Sequence, residues 1–405
     1  MSKLWTSTEE TKEKTFSVLL GLMFMSLFFG QALMNIIAVL FLIALLILRP
    51  RIRWIAPLWW LVAFAMWEIV SDYLGPHHGA GREDGGNAYH FLIMLLPLVL
   101  ASIDYQRLLK YITVGAVSSA ILMWLQALLG INYHAPPFRI NWDGGALFHR
   151  TSGFNGRPWV AQFNHSIITL AILPYLKWKS ARAWLLISAL FTGILLPQIR
   201  AVLAAFIAGA GIQALFAKPS TDYRDITKRI IVVVILAAVA VVIVAALRPD
   251  FYRGLMTGNG RDMIFIASFE IFKEFPHTGI GGGEYFLQHY QEAWKSLGWD
   301  PRHYLAGIGH THNDFLLLLV HHGWPALLLW LGFVIHSLVF VWKHGNQKER
   351  VVFISLVVMH HVAGLAETYL DYSNTTYAIA LCYGLALHGP VRRYYETRLA
   401  EPTNG

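Results

Sequence analysis

The chain has 405 residues, 56% of them hydrophobic and only 14% charged, with a mean hydropathy of +0.48 and a formal net charge of +8. A soluble domain carries roughly 25% charged residues, so soluble enzymes and nucleic-acid-binding modules are excluded and an all-α polytopic membrane protein is expected. The lone cysteine, Cys382, rules out an intramolecular disulfide.

The start, MSKLWTSTEETKEK, lacks the short apolar stretch and small-residue cleavage site of a cleaved signal peptide, so the first apolar run reads as a retained helix. At about 20 apolar residues per span, about twelve helices are predicted, near 15–31, 33–48, 54–71, 88–104, 111–130, 158–176, 183–199, 201–217, 229–247, 312–341, 351–370 and 373–390. No composition break separates them, which predicts a single bundle over 1–405. The connections RPRIR (49–53), DYQRLLK (104–110), KWKSAR (177–182), KPSTDYRDITKR (218–229), WKHGNQKER (342–350) and the tail from Arg392 are basic. By the positive-inside rule they are cytoplasmic, together with both termini.

These segments and the N-terminal tail hold 21 of the 32 Lys and Arg residues, in nearly equal numbers of each. Of the remaining 11, nine are arginines: Arg82, Arg139, Arg150, Arg157, Arg200, Arg248, Arg253, Arg261 and Arg302. Arginine presents a rigid fork of donors that suits phosphate oxygens and stays charged at any working pH. Solvation of ordinary loops is the plain alternative for the set. Arg200 is the exception, because it lies inside LLPQIRAVLAAFIAGAG. An ionisable group at bilayer depth costs roughly 2.5–3.5 kcal/mol on the lenient insertion scale, so by default it faces a cavity, although snorkelling to the interface is open to it.

Two outer loops are long. Residues 131–157 are rich in Pro, Gly and aromatics without helical period, and 248–311 is long enough to form a loop subdomain between the ninth and tenth helices. Within the latter, 262–275 places Ile264, Ala267, Ser268, Ile271 and Phe275 on one stripe, the pattern of a helix lying along the membrane surface. The run GIGGG (279–283) follows no strand and reads as a flexible turn, with a backbone phosphate nest as the alternative. Glu367 and Asp371, one turn apart, are expected to pair with the outer arginines, with binding of sugar hydroxyls as the alternative.

Histidines gather around the tenth helix at positions 303, 310, 312, 321 and 322. His312 and His321 fall on opposite faces of one helix, with His322 about 15 Å along the axis, so a single metal cannot take all three. His310 and His312 make a two-ligand start that no Cys or carboxylate at a ligand spacing completes, and no metal or cofactor is expected. At a water-facing helix end, His312 suits general-base work; capping the helix is its bland alternative. Gly323 and Pro325 predict a kink or break in this helix.

In order along the chain stand TSGFNGRPWVAQFN after Arg150, QIRAVLAA, GRDMIFIASFEIFKEFPHTGIGGGEYF and HTHNDFLLLLVHHG. This series resembles the O-antigen ligase and polymerase superfamily, and most closely the O-antigen ligases of lipopolysaccharide assembly. The last element carries the family's His-Asn followed by nine residues and Gly, here His312, Asn313 and Gly323. The chain departs from the family pattern in following Gly323 with Trp324, Pro325 and Ala326, and in placing Ile199 before Arg200.

The resemblance implies a metal-independent, inverting glycosyltransferase of the GT-C type at the periplasmic face of the bacterial inner membrane. Its donor would be a glycan on undecaprenyl pyrophosphate and its acceptor a sugar hydroxyl of the lipid A core, with membrane lipids as surroundings. Position by position, His312 corresponds to the motif histidine, Arg200 to the helix arginine and Arg261 to the arginine after the loop glycine, while Arg150 and Arg157 flank the earlier motif. The alternatives within the superfamily are an O-antigen polymerase and a protein O-oligosaccharyltransferase. A secondary transporter with an arginine-lined anion path is the rival from another class; no paired broken helices in corresponding halves point to it.

Overall fold

The structure is a computed structural model that describes residues 9–76, 88–129, 131–134, 139–142, 151–155, 157–197, 199–216, 261–281, 283–300, 310–370 and 372–400. Arg150, Arg82, Asp371 and the helix expected over 229–247 lie outside these residues.

The described elements are α1 (Glu9–Ser26), α2 (Gln31–Leu48), α3 (Pro57–Leu74), α4 (Leu95–Leu98), α5 (Tyr105–Leu129), the strands β1 (Ile131–His134) and β2 (Arg139–Trp142), α6 (Pro158–Ile172), α7 (Ala181–Leu195), α8 (Arg200–Phe216), α9 (Arg261–Glu274), α10 (Gly283–Ser296), α11 (Asp314–His344), α12 (Gln347–Gly364) and α13 (Ser373–Ala400). The strands pair antiparallel, with Ile131 opposite Trp142, inside the long loop that the sequence left without regular structure. Three of the described helices, Gln31–Leu48, Tyr105–Leu129 and Asp314–His344, are long and apolar enough to cross a membrane. Ala181–Leu195 and Arg200–Phe216 are apolar but shorter.

The continuous helix predicted over 88–104 does not form. Residues Ala88–Met94 make a 3-10 helix that runs into the single α-turn of α4, which contains Pro97. Past this turn the amides of Ala101 and Ser102 are turned to the Glu13 carboxylate of α1 at 2.9–3.1 Å. Asp104 Oδ1 then accepts from the amides of Gln106 and Arg107, and this N-terminal cap starts α5 six residues earlier than the apolar pattern predicts.

The core is one apolar cluster running through α1–α8 and α11–α13, in which α12 packs on α8, α11 on α3, and α13 on α6 and the 3-10 turn. Most of the basic connections described meet at one end. There Arg53 and His388 Nε2 both reach the Leu100 carbonyl, the Tyr395 hydroxyl donates to Trp54 O (2.7 Å), the rings of Tyr105 and Tyr175 stack at 3.9 Å, and Arg393 pairs with Glu349. That convergence agrees with one basic face.

A second, smaller cluster joins Ile264, Ala267 and Ile271 of α9 and Ile280 to Phe286, Tyr290 and Trp294 of α10, and reaches Val320 of α11. The apolar stripe predicted for 262–275 is thus buried by protein, against α10 and the head of α11.

Candidate active site

At the head of α11, His312 adopts φ 50°, in the left-handed region. Histidine visits this region more readily than most residues, at a cost of order 1–3 kcal/mol where the surroundings enforce it. The enforcement is visible. Asn313, not His312, is the N-cap: its Oδ1 accepts from Phe315 N and Leu316 N at 2.9 and 3.0 Å, and its Nδ2 donates to Leu365 O at 3.1 Å. Thr311 Oγ1 donates to Asn313 O at 2.8 Å.

Freed from capping, the His312 imidazole meets the Glu367 carboxylate, with Nδ1 2.9 Å from Oε1. An ionised carboxylate only accepts, so Nδ1 donates in this bond, and in the neutral ring the lone pair is then on Nε2. Burial acts to raise the Glu367 carboxyl, but the hydrogen bond from His312, the electrostatic pull of the His312 and His310 rings and the Thr368 amide outweigh it and hold the group below the usual carboxylate range. The His310 ring lies 3.9 Å from that of His312. Burial, followed by the charges of His312 and Arg157, lowers His310 to about 4 against the pull of Glu367, so it is neutral at working pH.

This corrects the expectation that Glu367 pairs with arginine. The predicted eleventh helix does not run to 370; α12 stops at Gly364, where a Cβ would press on the Asp314 carboxylate. Asp314 Oδ1 instead accepts from the amides of Tyr369 and Leu370 at 2.7 and 3.0 Å, and binds the 365–370 turn to α11. It also corrects the metal argument, because His310, His312 and Glu367 offer ligand atoms that all lie within 4.8 Å of one another. A carboxylate 55 residues downstream of His312 completes a cluster able to hold a cation, which no local spacing reveals.

The start of α6 is the second pillar. Arg157, its N-cap residue, lays its guanidinium over the Tyr372 ring at 4.5 Å. Trp159 meets Tyr372 and Tyr369 edge-on at 4.4 and 5.6 Å, and Phe163 stacks on Tyr369 at 4.1 Å. One helical turn on from Trp159, Gln162 bridges the α7–α8 turn: its Oε1 accepts from Ile199 N and its Nε2 donates to Ile194 O, both at 2.7 Å. Arg200, the first residue of α8, follows directly. Arg261 opens α9.

Of the five predicted charged positions, His312 reaches the 365–370 turn by its hydrogen bond to Glu367 and Arg157 lies over the Tyr372 ring. Arg200 and Arg261 open α8 and α9, with the backbone before Arg200 held to α6 by Gln162. The fifth, Arg150, lies outside the described residues. His312 and Arg157 thus bring an imidazole and a guanidinium to the chain at Glu367 and Tyr372.

The predicted break in α11 is present: Gly323 has φ 73° and ψ 178°. Here the amide of Trp324 turns away to Pro276 O at 2.9 Å, and Pro325 has no N–H, so Val320 and His321 lose their helical donors. Each buried unsatisfied carbonyl would cost about 1–3 kcal/mol. The segment 276–281 supplies the replacements. Ile280 N donates to Val320 O at 2.9 Å and Gly281 N to His321 O at 3.0 Å, while the Trp67 indole donates to His322 O at 2.7 Å. A Cβ at Gly323 would strike the His277 carbonyl, and one at Gly279 (φ 65°) the backbone of His321. The described part of the glycine run is thus neither a loose turn nor a phosphate nest but a strap that closes the broken helix. Gly323 supports the site by admitting it.

Sequence reasoning singled out Glu367 but not its histidine partner, and missed Asp314 and Gln162 as site-building residues; polar side chains within apolar helices and at their ends were the available signal. Among known families, the model described as O-Antigen ligase matches residues 167–331. The match contains Arg200, Arg261, His312, Asn313 and Gly323, and stops short of Glu367. No curated protein matches the chain.

Proposed function

We propose, from the match of residues 167–331 to the O-antigen ligase family model, that this chain is an O-antigen ligase of the GT-C type with about twelve membrane spans. On this reading its site faces the periplasm from the inner membrane, and both termini are cytoplasmic. It transfers a glycan from undecaprenyl pyrophosphate to a sugar hydroxyl of the lipid A core.

The observation that carries the reading is the His312–Glu367 pair, with Arg157 lying over Tyr372, close in sequence to Glu367. The acceptor oxygen attacks the anomeric carbon from the face opposite the leaving group, its proton passes to His312 Nε2, and the bond from that carbon to the diphosphate oxygen breaks with inversion. Glu367 fixes the tautomer and steadies the imidazolium that forms, a base-and-orienter arrangement. Arg200, Arg261, Arg157 and, from outside the described residues, Arg150 hold the diphosphate as it gains charge. A preorganised donor at such a position is worth about 3–4 kcal/mol, which accounts for catalysis without a metal ion.

Transfer with a defined lipid-linked donor and rough lipopolysaccharide, in the presence and absence of a chelator, tests this. Product that depends on the acceptor and withstands the chelator is expected. Donor-only chain growth would identify a polymerase, transfer to an acceptor protein an O-oligosaccharyltransferase, and loss of product with chelator would assign the His310–His312–Glu367 cluster to a metal.

A further inference from the structure

The proton transfer proposed above uses His312 and Glu367 and leaves the histidine beside them without a role. The His310 ring lies 3.9 Å from that of His312, and its Nε2 is 4.0 Å from Glu367 Oε1. Its Nδ1 is buried without a hydrogen-bond partner among the described residues. A base and the carboxylate that orients it are complete as a pair, so a third donor facing the same carboxylate oxygen calls for a second explanation.

Together the three side chains make a metal donor set, with ligand atoms that all lie within 4.8 Å of one another. Donors bonded to a tetrahedral zinc ion stand about 3.3 Å apart. To reach that spacing the His312–Glu367 contact of 2.9 Å opens and the His310–Glu367 separation of 4.0 Å closes, each by less than about 1 Å. The two backbone segments that carry the donors are already joined. Asn313 Nδ2 donates to Leu365 O at 3.1 Å, and Asp314 Oδ1 accepts from Tyr369 N at 2.7 Å. Two imidazoles and a carboxylate suit zinc, with a fourth position left to water; magnesium and calcium take sets made of oxygen.

We propose that His310, His312 and Glu367 bind a zinc ion that arrests transfer, so that the catalytic base doubles as an inhibitory metal site. The inference rests on the function proposed above and adds a regulator to it. Bound through His312 Nε2, zinc takes the lone pair that receives the acceptor proton. Bound through Nδ1, it displaces the proton of that nitrogen to Nε2, and the lone pair is lost again. Neither route releases a net proton from the neutral ring. Glu367, once a zinc ligand, no longer orients the imidazole. Zinc and catalysis therefore exclude each other, and removing the ion restores the base.

The test uses the full chain in detergent, stripped with a chelator and dialysed, with zinc chloride as the probe. Isothermal titration should find a zinc ion bound to each chain, which magnesium neither replaces nor displaces. His310→Gln and Glu367→Gln should each weaken binding by about 100-fold or more, since losing even an outer hydrogen-bond partner of a ligand costs about 10- to 100-fold. A rise in melting temperature with zinc, seen in wild type and absent from both variants, reads the same site without turnover. In the transfer assay zinc should halve the wild-type rate near its binding constant, and a chelator should restore it. For His310→Gln, measured against its own metal-free rate, the halving concentration should rise about 100-fold. Unchanged zinc affinity in both variants, equal inhibition of wild type and His310→Gln, or stimulation by zinc overturns the proposal. Zinc binding that His310→Gln abolishes, in a protein that transfers nothing, would keep the metal site and reject the reaction. Transfer untouched by zinc would keep the reaction and reject the inhibitory site.

Discussion

The two ends of the bundle use their carboxylates differently. At the basic end Glu349 pairs with Arg393 and caps α12 in a reciprocal box with Asn346, while Glu13 takes the amides of Ala101 and Ser102. At the other end Glu367 holds an imidazole and Asp314 holds backbone amides, and Arg157 lies on an aromatic ring. One end neutralises its guanidinium in the course of fastening helices; the other fastens its chain with carboxylates directed at groups other than arginine. A bundle built only for stability would treat both ends alike.

The comparison breaks most visibly at His312. His312→Ala should lower the turnover number about 10²- to 10⁴-fold, with donor affinity within about threefold, as read from single-turnover rates against a binding isotherm; equal losses in both would make the imidazole a phosphate ligand instead. Arg200→Ala and Arg261→Ala come next, at about 10²- to 10³-fold each in turnover, and Lys at these positions should rescue only part because it lacks the fork. Glu367→Gln should cost about 10- to 100-fold in turnover with donor affinity within about threefold, because the imidazole loses the carboxylate that orients it; an unchanged turnover would separate Glu367 from the proton's path.

Gly323→Ala sharpens the contrast from the side of stability. It forces a Cβ into the His277 carbonyl at positive φ, and should lower the melting temperature in detergent by the equivalent of about 1–3 kcal/mol. Glu349→Gln at the basic end should also lower the melting temperature while leaving kcat within about twofold. The smallest effect is that of pH on folding. The His310 imidazole binds its proton less well folded, at about 4, than at its ordinary 6.5. Between those values the unfolded chain therefore holds more protons, and stability should decline as pH falls from about 6.5 to 4. His310→Gln should flatten that decline in a thermal-shift series.

Much of this was legible in the residues. Apolar run lengths located most helices because a bilayer enforces one length scale, and Gly323 with Pro325 announced the break because both act on their own backbone. Arg200 and His312 stood out as ionisable groups in or beside apolar sequence, whereas Arg261 was singled out only by the family resemblance. What stayed hidden depends on chain folding back. Glu367 looked like the end of a helix, and only the Asp314 clasp on residues 369–370 ends that helix early and turns the carboxylate to His312. The 88–104 segment was apolar enough for a helix, but Glu13, 88 residues upstream of Ala101, competes for its amides.

The strap across the α11 break carries a consequence for protein engineering. Residues 276–281 and the Trp67 indole donate the hydrogen bonds that the cut ends of α11 require. Exchanging the 248–311 segment with that of a homologue is therefore a splice into a helix, not the swap of a surface module. Chimeras should assemble only when Trp67, the strap and residues 320–324 are transplanted as one set.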